Sequence, residues 1–421
     1  MAVTVELTVN GTTGAPGRYL TWAPSPASLR IVNADGAQAP VAVRVLTAPG
    51  SVGRHWFRTA PGAPPTTDLS LALDPGGAPA PFFLSGRFPA ASRTDGDAVL
   101  QVRLKPGTQV ISSTPTMVRI RKDAERLTTA ERNRFLSALA LLNNGGLGIF
   151  RDFRGSHTQV SSLEAHGRDG FWPWHRAFLL DLERELQRLD RSVTLPYWRF
   201  DRPAPKLFTP GFIGGPGPVA VIAPTNPLVA WRTDGQPGIP RTPLFDPKTS
   251  RATDPNFGPV STEIETTGDT GPYGPLRTVF EGDPHGLAHT SFSGLISSIP
   301  TAARDPLFFL LHCNVDRLWA KWQWIQKRFD GATNASYRFR GKAGDPGATR
   351  IGHNAKDTMW PWNNVTGTPR PATAPRHPLR ASPAVTAPAA APTVGEMIDF
   401  QGHTGAARRL GFDFDDVPFE A

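Results

Sequence analysis

The chain has 421 residues and carries 45 Lys plus Arg against 36 Asp plus Glu, which gives a net charge of +9. A chain of this length accommodates two or three domains. Its single cysteine excludes an intrachain disulfide and any metal site built from cysteines. No segment approaches ~18 consecutive apolar residues and no run of about five basic residues occurs, so we expect neither a membrane nor a nucleic acid as a partner.

Residues 1–116 have the pattern of an all-β domain. Their apolar residues alternate with polar ones or form short runs between Pro, Gly and Asp, in segments 3–9, 29–31, 41–45, 69–73 and 99–103. Short strands with turn signals between them predict an immunoglobulin-like β-sandwich. The histidine in this region, His55, is interpreted as a packed or surface side chain.

After the β domain the pattern becomes helical. Thr128 and Glu131 form a capping box, and apolar residues follow at helical spacing until the Asn-Asn-Gly-Gly segment 143–146. A second helix is predicted over about 174–190. Asp305 and Pro306 predict the start of a third, because they suit the N-cap and the first helical position.

After the β domain, the predicted elements divide the chain into two further regions, 117–340 and 341–421. Residues 117–340 should form a mainly α domain, with a four-helix bundle around a buried site and long loops over the Pro- and Gly-rich stretch 202–276. Residues 341–421 contain a Pro/Ala-rich arm over 369–392. The aromatics of the terminus, Phe412, Phe414 and Phe419, should dock back onto the body, and we consider this extension a candidate lid.

Six of the ten histidines fall into two groups of three. The groups are His157, His166 and His175, and His285, His289 and His312. Residues at i and i+4 share one face of a helix, so His285 and His289 would project together. A single buried histidine is more often structural than a ligand. Two complete groups, each ending on a strongly apolar helix, point instead to two metal ions.

The residue types narrow the choice of metal. The residues between His285 and His289 are Gly, Leu and Ala, which excludes a simple His-Glu-x-x-His zinc hydrolase. Non-haem iron favours two histidines with a carboxylate, and a zinc ion held by three histidines would leave one group unexplained. Imidazole-only ligation suits copper, and two facing copper ions would bind dioxygen between them.

Three segments resemble the copper-binding signatures of the tyrosinase family, which includes the catechol oxidases and is related to molluscan haemocyanins. The segments begin HGRDGFWPWH at His166, PHGLAH at Pro284 and DPLFFLLHCNVDRLW at Asp305. The resemblance covers about 117–330. It implies a type 3 binuclear site, with one copper on each histidine triad.

The resemblance also implies roles for neighbouring residues. Glu281 matches a glutamate that holds a water and takes up the phenolic proton, and His289 would lie under the substrate ring. Phe308 matches a ring packed against the second copper. Asp316, followed by Arg317, would orient the imidazoles, with a plain ion pair on the helix surface as the alternative. Ile299 is a candidate gate residue.

Four positions depart from the family pattern. His157 lies closer to His166 than the family's first ligand does, so the loop between them is shortened. Leu311 replaces a second adjacent histidine. Gly286 stands where monophenol-hydroxylating members carry an asparagine, which favours diphenols as substrates. Cys313 is badly placed for a cysteine–histidine thioether and is interpreted as a small buried residue.

We therefore predict a binuclear copper oxidase: a tyrosinase, catechol oxidase or other polyphenol oxidase that converts o-diphenols to o-quinones with dioxygen. Monooxygenase activity on monophenols is the second expectation. The alternatives are a dioxygen-binding copper protein without efficient turnover and an o-aminophenol oxidase. Homo-oligomerisation and a copper-delivery partner stay open. The N-terminus lacks the pattern of a signal peptide, so we expect a cytoplasmic protein, with export alongside a partner as the alternative.

Overall fold

The structure is a computed structural model that describes residues 3–34, 36, 38–88, 90–251, 254, 260–375 and 378–420. It divides into two compact units. The first contains Met1–Ile120, Ser382–Ala387 and Phe400–Ala421, and the second contains Arg121–Ala381 and Pro388–Asp399. The region 341–421, expected to be a separate arm, is thus shared between the two units.

The N-terminal unit holds two β-sheets. In sheet order, one consists of β1 (Thr4–Val9), β3 (Ser25–Asn33), β7 (Ala80–Gly86) and β5 (His55–Arg58). The other consists of β2 (Tyr19–Leu20), β9 (Val110–Val118), β8 (Ala98–Leu104), β4 (Val41–Thr47) and β6 (Asp68–Leu73). Neighbouring strands are antiparallel except the short parallel pair β2–β9.

Side chains from both sheets form one hydrophobic core, which includes Leu29, Phe57 and Leu84 from the first sheet and Val43 and Leu100 from the second. The five predicted strand segments are confirmed as β1, β3, β4, β6 and β8. The sequence does not reveal β2, β5, β7 and β9, because β2 has only two residues and polar residues or prolines interrupt a clean alternation in the others.

The C-terminal residues pack inside the N-terminal unit. One carboxylate oxygen of Asp413 accepts hydrogen bonds from the backbone N–H groups of Trp22 (2.8 Å) and Ala23 (3.2 Å). Phe412 stacks on Phe400 with ring centroids 5.1 Å apart. Docking of the terminal aromatics is therefore observed. Their use as a lid over the metal site stays a prediction.

The second unit is mainly helical. Its helices are α1 (Thr129–Asn143), α2 (Phe150–Ser156), α3 (Ser162–Ala165), α4 (Phe171–Leu189), α5 (Glu263–Gly268), α6 (Tyr273–Phe280), α7 (Leu287–His289), α8 (Ile299–Ala302) and α9 (Leu307–Gln326). Short strand pairs join β10 (Arg232–Thr233) to β11 (Gln236–Pro237) and β12 (Arg241–Pro243) to β13 (Phe292–Gly294). Among the described residues, no helix combines the length and apolarity that crossing a membrane requires.

Capping explains where these helices begin. The predicted capping box of α1 is present, with Glu131 N–H donating to Thr128 Oγ1 and Thr128 N–H donating to the Glu131 carboxylate. The side chain of Asp305 accepts from Leu307 N–H at 2.9 Å, as expected for the start of α9. Helix α4 begins at Phe171, about three residues earlier than predicted, because Pro173 fits the first turn, where no N–H is required.

The prediction of loops throughout 202–276 is wrong in one part. Besides the short strands β10, β11 and β12, helix α5 and the start of α6 lie within it. Thr262 and Glu265 form a second capping box, so the sequence carried the signal for α5. The high Pro and Gly content around that signal obscured it.

Candidate metal centre

The six histidines of the two predicted groups all lie in the second unit. His175 and His312 sit on the long helices α4 and α9, and both side chains are buried. His157 follows α2, and His166 follows α3. His285 lies in a wide helical turn over residues 281–286, and His289 ends α7. The break in helical geometry, at Asp283, precedes both His285 and His289, and the two rings lie 4.8 Å apart, as expected for residues one helical turn apart.

The structure brings each group of three together. One ring nitrogen from each of His157, His166 and His175 lies within 4.8 Å of the others, and the same holds for His285, His289 and His312. The two groups are adjacent, because the rings of His175 and His312 stack at 4.2 Å and those of His166 and His285 lie 6.2 Å apart. The six imidazoles therefore form one centre.

Backbone carbonyls fix the orientation of four rings. In each, Nδ1–H donates to a carbonyl oxygen: His157 to Ile299 (2.9 Å), His175 to Phe171 (2.8 Å), His285 to Glu281 (2.8 Å) and His289 to Ile296 (2.7 Å). Because a carbonyl oxygen can only accept, Nδ1 carries the proton in the neutral ring. The Nε2 lone pair is then available to a metal ion.

The Nε2 atoms are better placed to bind a metal ion than to form hydrogen bonds with one another. Among the described residues, the buried Nε2 atoms of His157 and His175 have no hydrogen-bond partner. His312 Nε2 lies 3.1 Å from His289 Nε2 and 3.4 Å from His285 Nε2. A proton on His312 would satisfy one of these two contacts, whereas a cation among the three nitrogens would satisfy all of them.

Burial keeps these rings neutral. It lowers the pKa of His157 to about 3 and that of His289 to about 4, and it lowers the pKa of the other four well below the usual range. The neighbouring imidazoles add to the effect in most of them. Neutral imidazole is the form that binds metal, so the triads need no deprotonation at neutral pH.

Aromatic side chains pack around the histidines. Phe308 stacks on His312 at 4.1 Å and meets the edge of His157 at 4.9 Å. It therefore touches both groups. The Cys313 thiol donates to the carbonyl of Leu195 at 3.6 Å and is fully buried, so it packs as the small buried residue expected from the sequence.

Glu281 contacts the chain beside His166 and also contacts His285. Its carboxylate accepts from the backbone N–H of Gly167, at 2.7 Å, and pairs with Arg277, also at 2.7 Å. Burial raises the pKa of this carboxyl group. A Cβ atom at Gly286 would lie 3.2 Å from the Glu281 carbonyl, so a side chain there would crowd this turn.

The remaining predicted residues lie around the centre. Ile299 is half-exposed, and its carbonyl is the acceptor for His157. Leu311 is buried. Asp316 and Arg317 are also buried and do not form the plain surface ion pair that we considered, because Asp316 bonds to Arg121 and Arg176 instead.

The pairs of Asp316 connect the two long helices. Asp316 on α9 accepts from Arg176 on α4 at 2.6 Å and from Arg121 at 3.1 Å. Arg121 also bonds to Glu183 on α4 at 2.8 Å. Because Arg176 follows His175 and Asp316 lies one turn after His312, this network fixes the spacing of the helices that carry one histidine of each group.

The sequence gives no signal for a further set of residues that hold the chain on both sides of His166. His353 accepts from Gly170 N–H at 3.0 Å, and its Nε2–H donates to the Leu163 carbonyl at 3.0 Å. Glu164 accepts from Arg370 and from the backbone N–H of Trp360. The partners of His353 are 183 and 190 residues away, so no local pattern could have revealed them.

Two adjacent triads of neutral imidazoles in a helical unit define a binuclear metal protein. A family model described as the common central domain of tyrosinase matches residues 148–325. The tyrosinase of Streptomyces glaucescens is 31% identical over 280 residues, which cover 59% of this chain and 93% of that protein. The grixazone synthase of Streptomyces griseus is 31% identical over 266 residues, which cover 49% and 85%. A functional unit of octopus hemocyanin aligns over 72% of this chain and 69% of that one, with 18% identity and a TM-score of 0.44.

The chain belongs to the tyrosinase family. It is an oxidoreductase of this family, and its cofactor is a pair of copper ions, which the two histidine triads fit. The family uses a phenolic substrate and dioxygen. Copper as the predicted cofactor is thereby confirmed.

Proposed function

We propose that the protein oxidises o-diphenols to o-quinones with dioxygen at a copper pair held by His157, His166 and His175 and by His285, His289 and His312. One observation carries the proposal: six neutral imidazoles converge, and four of them have Nε2 freed by a carbonyl bond to Nδ1. Bound copper supplies the redox chemistry with dioxygen.

The protein's own residues would bind and deprotonate the phenol. The substrate ring lies against His289, and Glu281 takes up the phenolic proton through a water. Burial raises the pKa of Glu281, which strengthens it as a proton acceptor relative to an exposed glutamate. The hydrogen bond from Gly167 N–H holds the Glu281 carboxylate in place.

We propose diphenols rather than monophenols as the main substrates. Gly286 provides no side chain that could orient a water on Glu281, so the harder proton removal from a monophenol lacks assistance. Grixazone synthase and tyrosinase are equally similar relatives, at 31% identity each, so overall identity does not select a substrate. An o-aminophenol oxidase with the same copper ligands is the second candidate, because the ligands alone do not select the substrate.

We also propose how the two units are built. The two sheets on one core support an immunoglobulin-like sandwich for the N-terminal unit. Helices α4 and α9, together with α2 and α6, support a four-helix bundle around the copper site. Ile299 at the start of α8, whose carbonyl holds His157, acts as the gate residue.

The decisive measurement is copper per chain in the wild type, in His157→Ala and in His403→Ala. The wild type and the His403 variant should hold two copper ions, because His403 lies in the N-terminal unit and bonds to Gln401. The His157 variant should hold one or fewer and lose catechol oxidation. Two tightly bound copper ions and full activity in the His157 variant would refute the ligand assignment.

A parallel assay of catechol, tyrosine and 2-aminophenol identifies the substrate class. The proposal expects the fastest dioxygen consumption with catechol. Faster turnover of 2-aminophenol would favour the second candidate. Reversible dioxygen uptake with no quinone from any of the three would identify an oxygen carrier.

A further inference from the structure

The copper centre opens to solvent at His166 and His289. These two histidines are partly exposed, whereas the other four are at most 5% exposed. Gly167 follows His166, and its N–H donates to the Glu281 carboxylate. The exposed Arg168 donates from its guanidinium to the carbonyl of Gly167 at 3.1 Å. A product that leaves past Glu281 therefore passes close to a charged side chain.

The chemistry of the product makes the type of that side chain important. An o-quinone is an electrophile that thiolates, amines and imidazoles attack. When an amine attacks, its nitrogen bonds to a ring carbon, loses a proton to a quinone oxygen, and the ring becomes a catechol again. Lysine has an ordinary pKa of about 10.4 and releases a small fraction of free amine near neutral pH. A guanidinium stays protonated and has no free lone pair, so arginine carries the same charge without being attacked.

Lysine is absent from the two segments that carry the copper ligands. Segments 123–205 and 249–320 contain all six ligand histidines and 16 arginines, but no lysine. Two of the lysines at their borders, Lys122 and Lys321, form ion pairs with glutamates. The chain has eight lysines among its 45 lysines and arginines: Lys105, Lys122, Lys206, Lys248, Lys321, Lys327, Lys342 and Lys356.

Other nucleophiles near the centre are shielded. Cys313 is fully buried, and burial raises the pKa of its thiol, so the reactive thiolate does not form. Of the two partly exposed ligands, His289 has its Nδ1–H bonded to the Ile296 carbonyl, and the Nδ1 atom of His166 is buried. Bound copper occupies the remaining nitrogen of each ring. Thiol, amine and imidazole are thus all withheld from the product.

We propose that the surroundings of the copper centre withhold nucleophiles from the o-quinone, with Arg168 supplying charge at the opening without becoming a site of arylation. This inference rests on the proposed function, because it takes an o-quinone as the product. The quinone then leaves the protein unmodified. The reaction that consumes it is an addition of an amine or a thiol from outside the protein.

The first test lets the copper-loaded wild type, Arg168→Lys and Arg188→Lys oxidise 4-methylcatechol at about pH 8, with excess aniline to trap quinone that has reached the solution. Arg188 is the matched control, because it is an exposed arginine of α4 that lies thirteen residues, or ~20 Å, along the helix from His175. Peptide mass mapping should find one quinone adduct at position 168 in Arg168→Lys, with activity falling as the adduct accumulates. The wild type and Arg188→Lys should stay unmodified over 123–205 and 249–320 and keep their activity.

The second test adds preformed 4-methyl-o-benzoquinone to the same copper-loaded proteins, without catechol or aniline. Both lysine variants should be labelled at the substituted position, and the wild type should stay unlabelled over 123–205 and 249–320. Adducts in these segments of the wild type, or an unmodified position 168 during turnover, would overturn the inference. A wild type that makes no quinone from 4-methylcatechol would refute the proposed function instead, and the second test would still decide whether nucleophiles are withheld.

Discussion

The carboxylate of Glu281 accepts a 2.7 Å hydrogen bond from the backbone N–H of Gly167. Gly167 directly follows His166, and the carbonyl of Glu281 holds His285. This one residue therefore connects a histidine of each triad. Its side chain and its backbone act on different groups, so the two roles can be separated by changing the side chain alone.

Glu281→Gln should lower kcat for catechol by about 10²–10⁴-fold, because an amide cannot take up the phenolic proton. The amide oxygen can still accept from Gly167, so copper content should stay at two ions per chain. Steady-state kinetics and metal analysis check both expectations. Arg277→Gln is the comparison, since it removes the ion pair but keeps the carboxylate. Equal losses in the two variants would assign the effect to the ion pair and contradict the proton-acceptor role.

His353→Ala should lower the free energy of unfolding by about 1–3 kcal/mol, because it leaves the Gly170 N–H buried without an acceptor and removes the donor to the part-buried Leu163 carbonyl. The loop between His157 and His166 should then release copper faster to a chelator. Urea unfolding and the rate of copper loss provide the two readouts. Wild-type values in both would mean that His353 does not hold this loop.

Asp316→Asn should destabilise the protein by about 3–5 kcal/mol, because Arg121 and Arg176 would keep buried charges with less compensation. Asp68→Asn is the matched control. Its partner Arg44 is exposed, and loss of such a surface pair costs at most about 1 kcal/mol. Chemical unfolding of both variants tests the contrast. A similar small loss in each would argue against a structural role for the buried network.

Asp413 should make stability depend on pH. Burial raises its pKa from an ordinary 3.8 to about 6 in the folded protein. Between these values the unfolded chain has released the proton that the folded chain still holds, so the free energy of unfolding falls as pH rises from about 4 to about 6. The fall should be roughly 3 kcal/mol. Urea unfolding at several pH values should show a weaker dependence in Asp413→Asn, and parallel curves for both proteins would disprove the assignment.

The sequence was most informative where a local pattern carries the structure. Alternating residues located five strands, the Thr128–Glu131 pair located the start of α1, and the spacing of the histidines together with the family resemblance identified the two triads. Each of these signals lies within a short stretch of chain or in a distinctive residue type.

The sequence was least informative where distant residues meet. The sequence leaves a surface ion pair open for Asp316 and Arg317, because nothing local shows that Arg121 and Arg176 converge on Asp316. The support of the first triad's loop by His353 and Arg370 depends on contacts across about half of the chain. Such contacts follow from the packing of whole elements, which residue spacing does not encode.

The N-terminal unit is closed by residues from the other end of the chain, where Asp413 reaches the amides of Trp22 and Ala23. About 280 residues, from 121 to 399, separate its two main parts. At the usual ~5–20 residues per second of translation, their synthesis takes roughly 15–60 s. Until residue 413 is synthesised, the backbone N–H groups of Trp22 and Ala23 lack their acceptor. A chaperone that binds the nascent N-terminal unit would act during this interval.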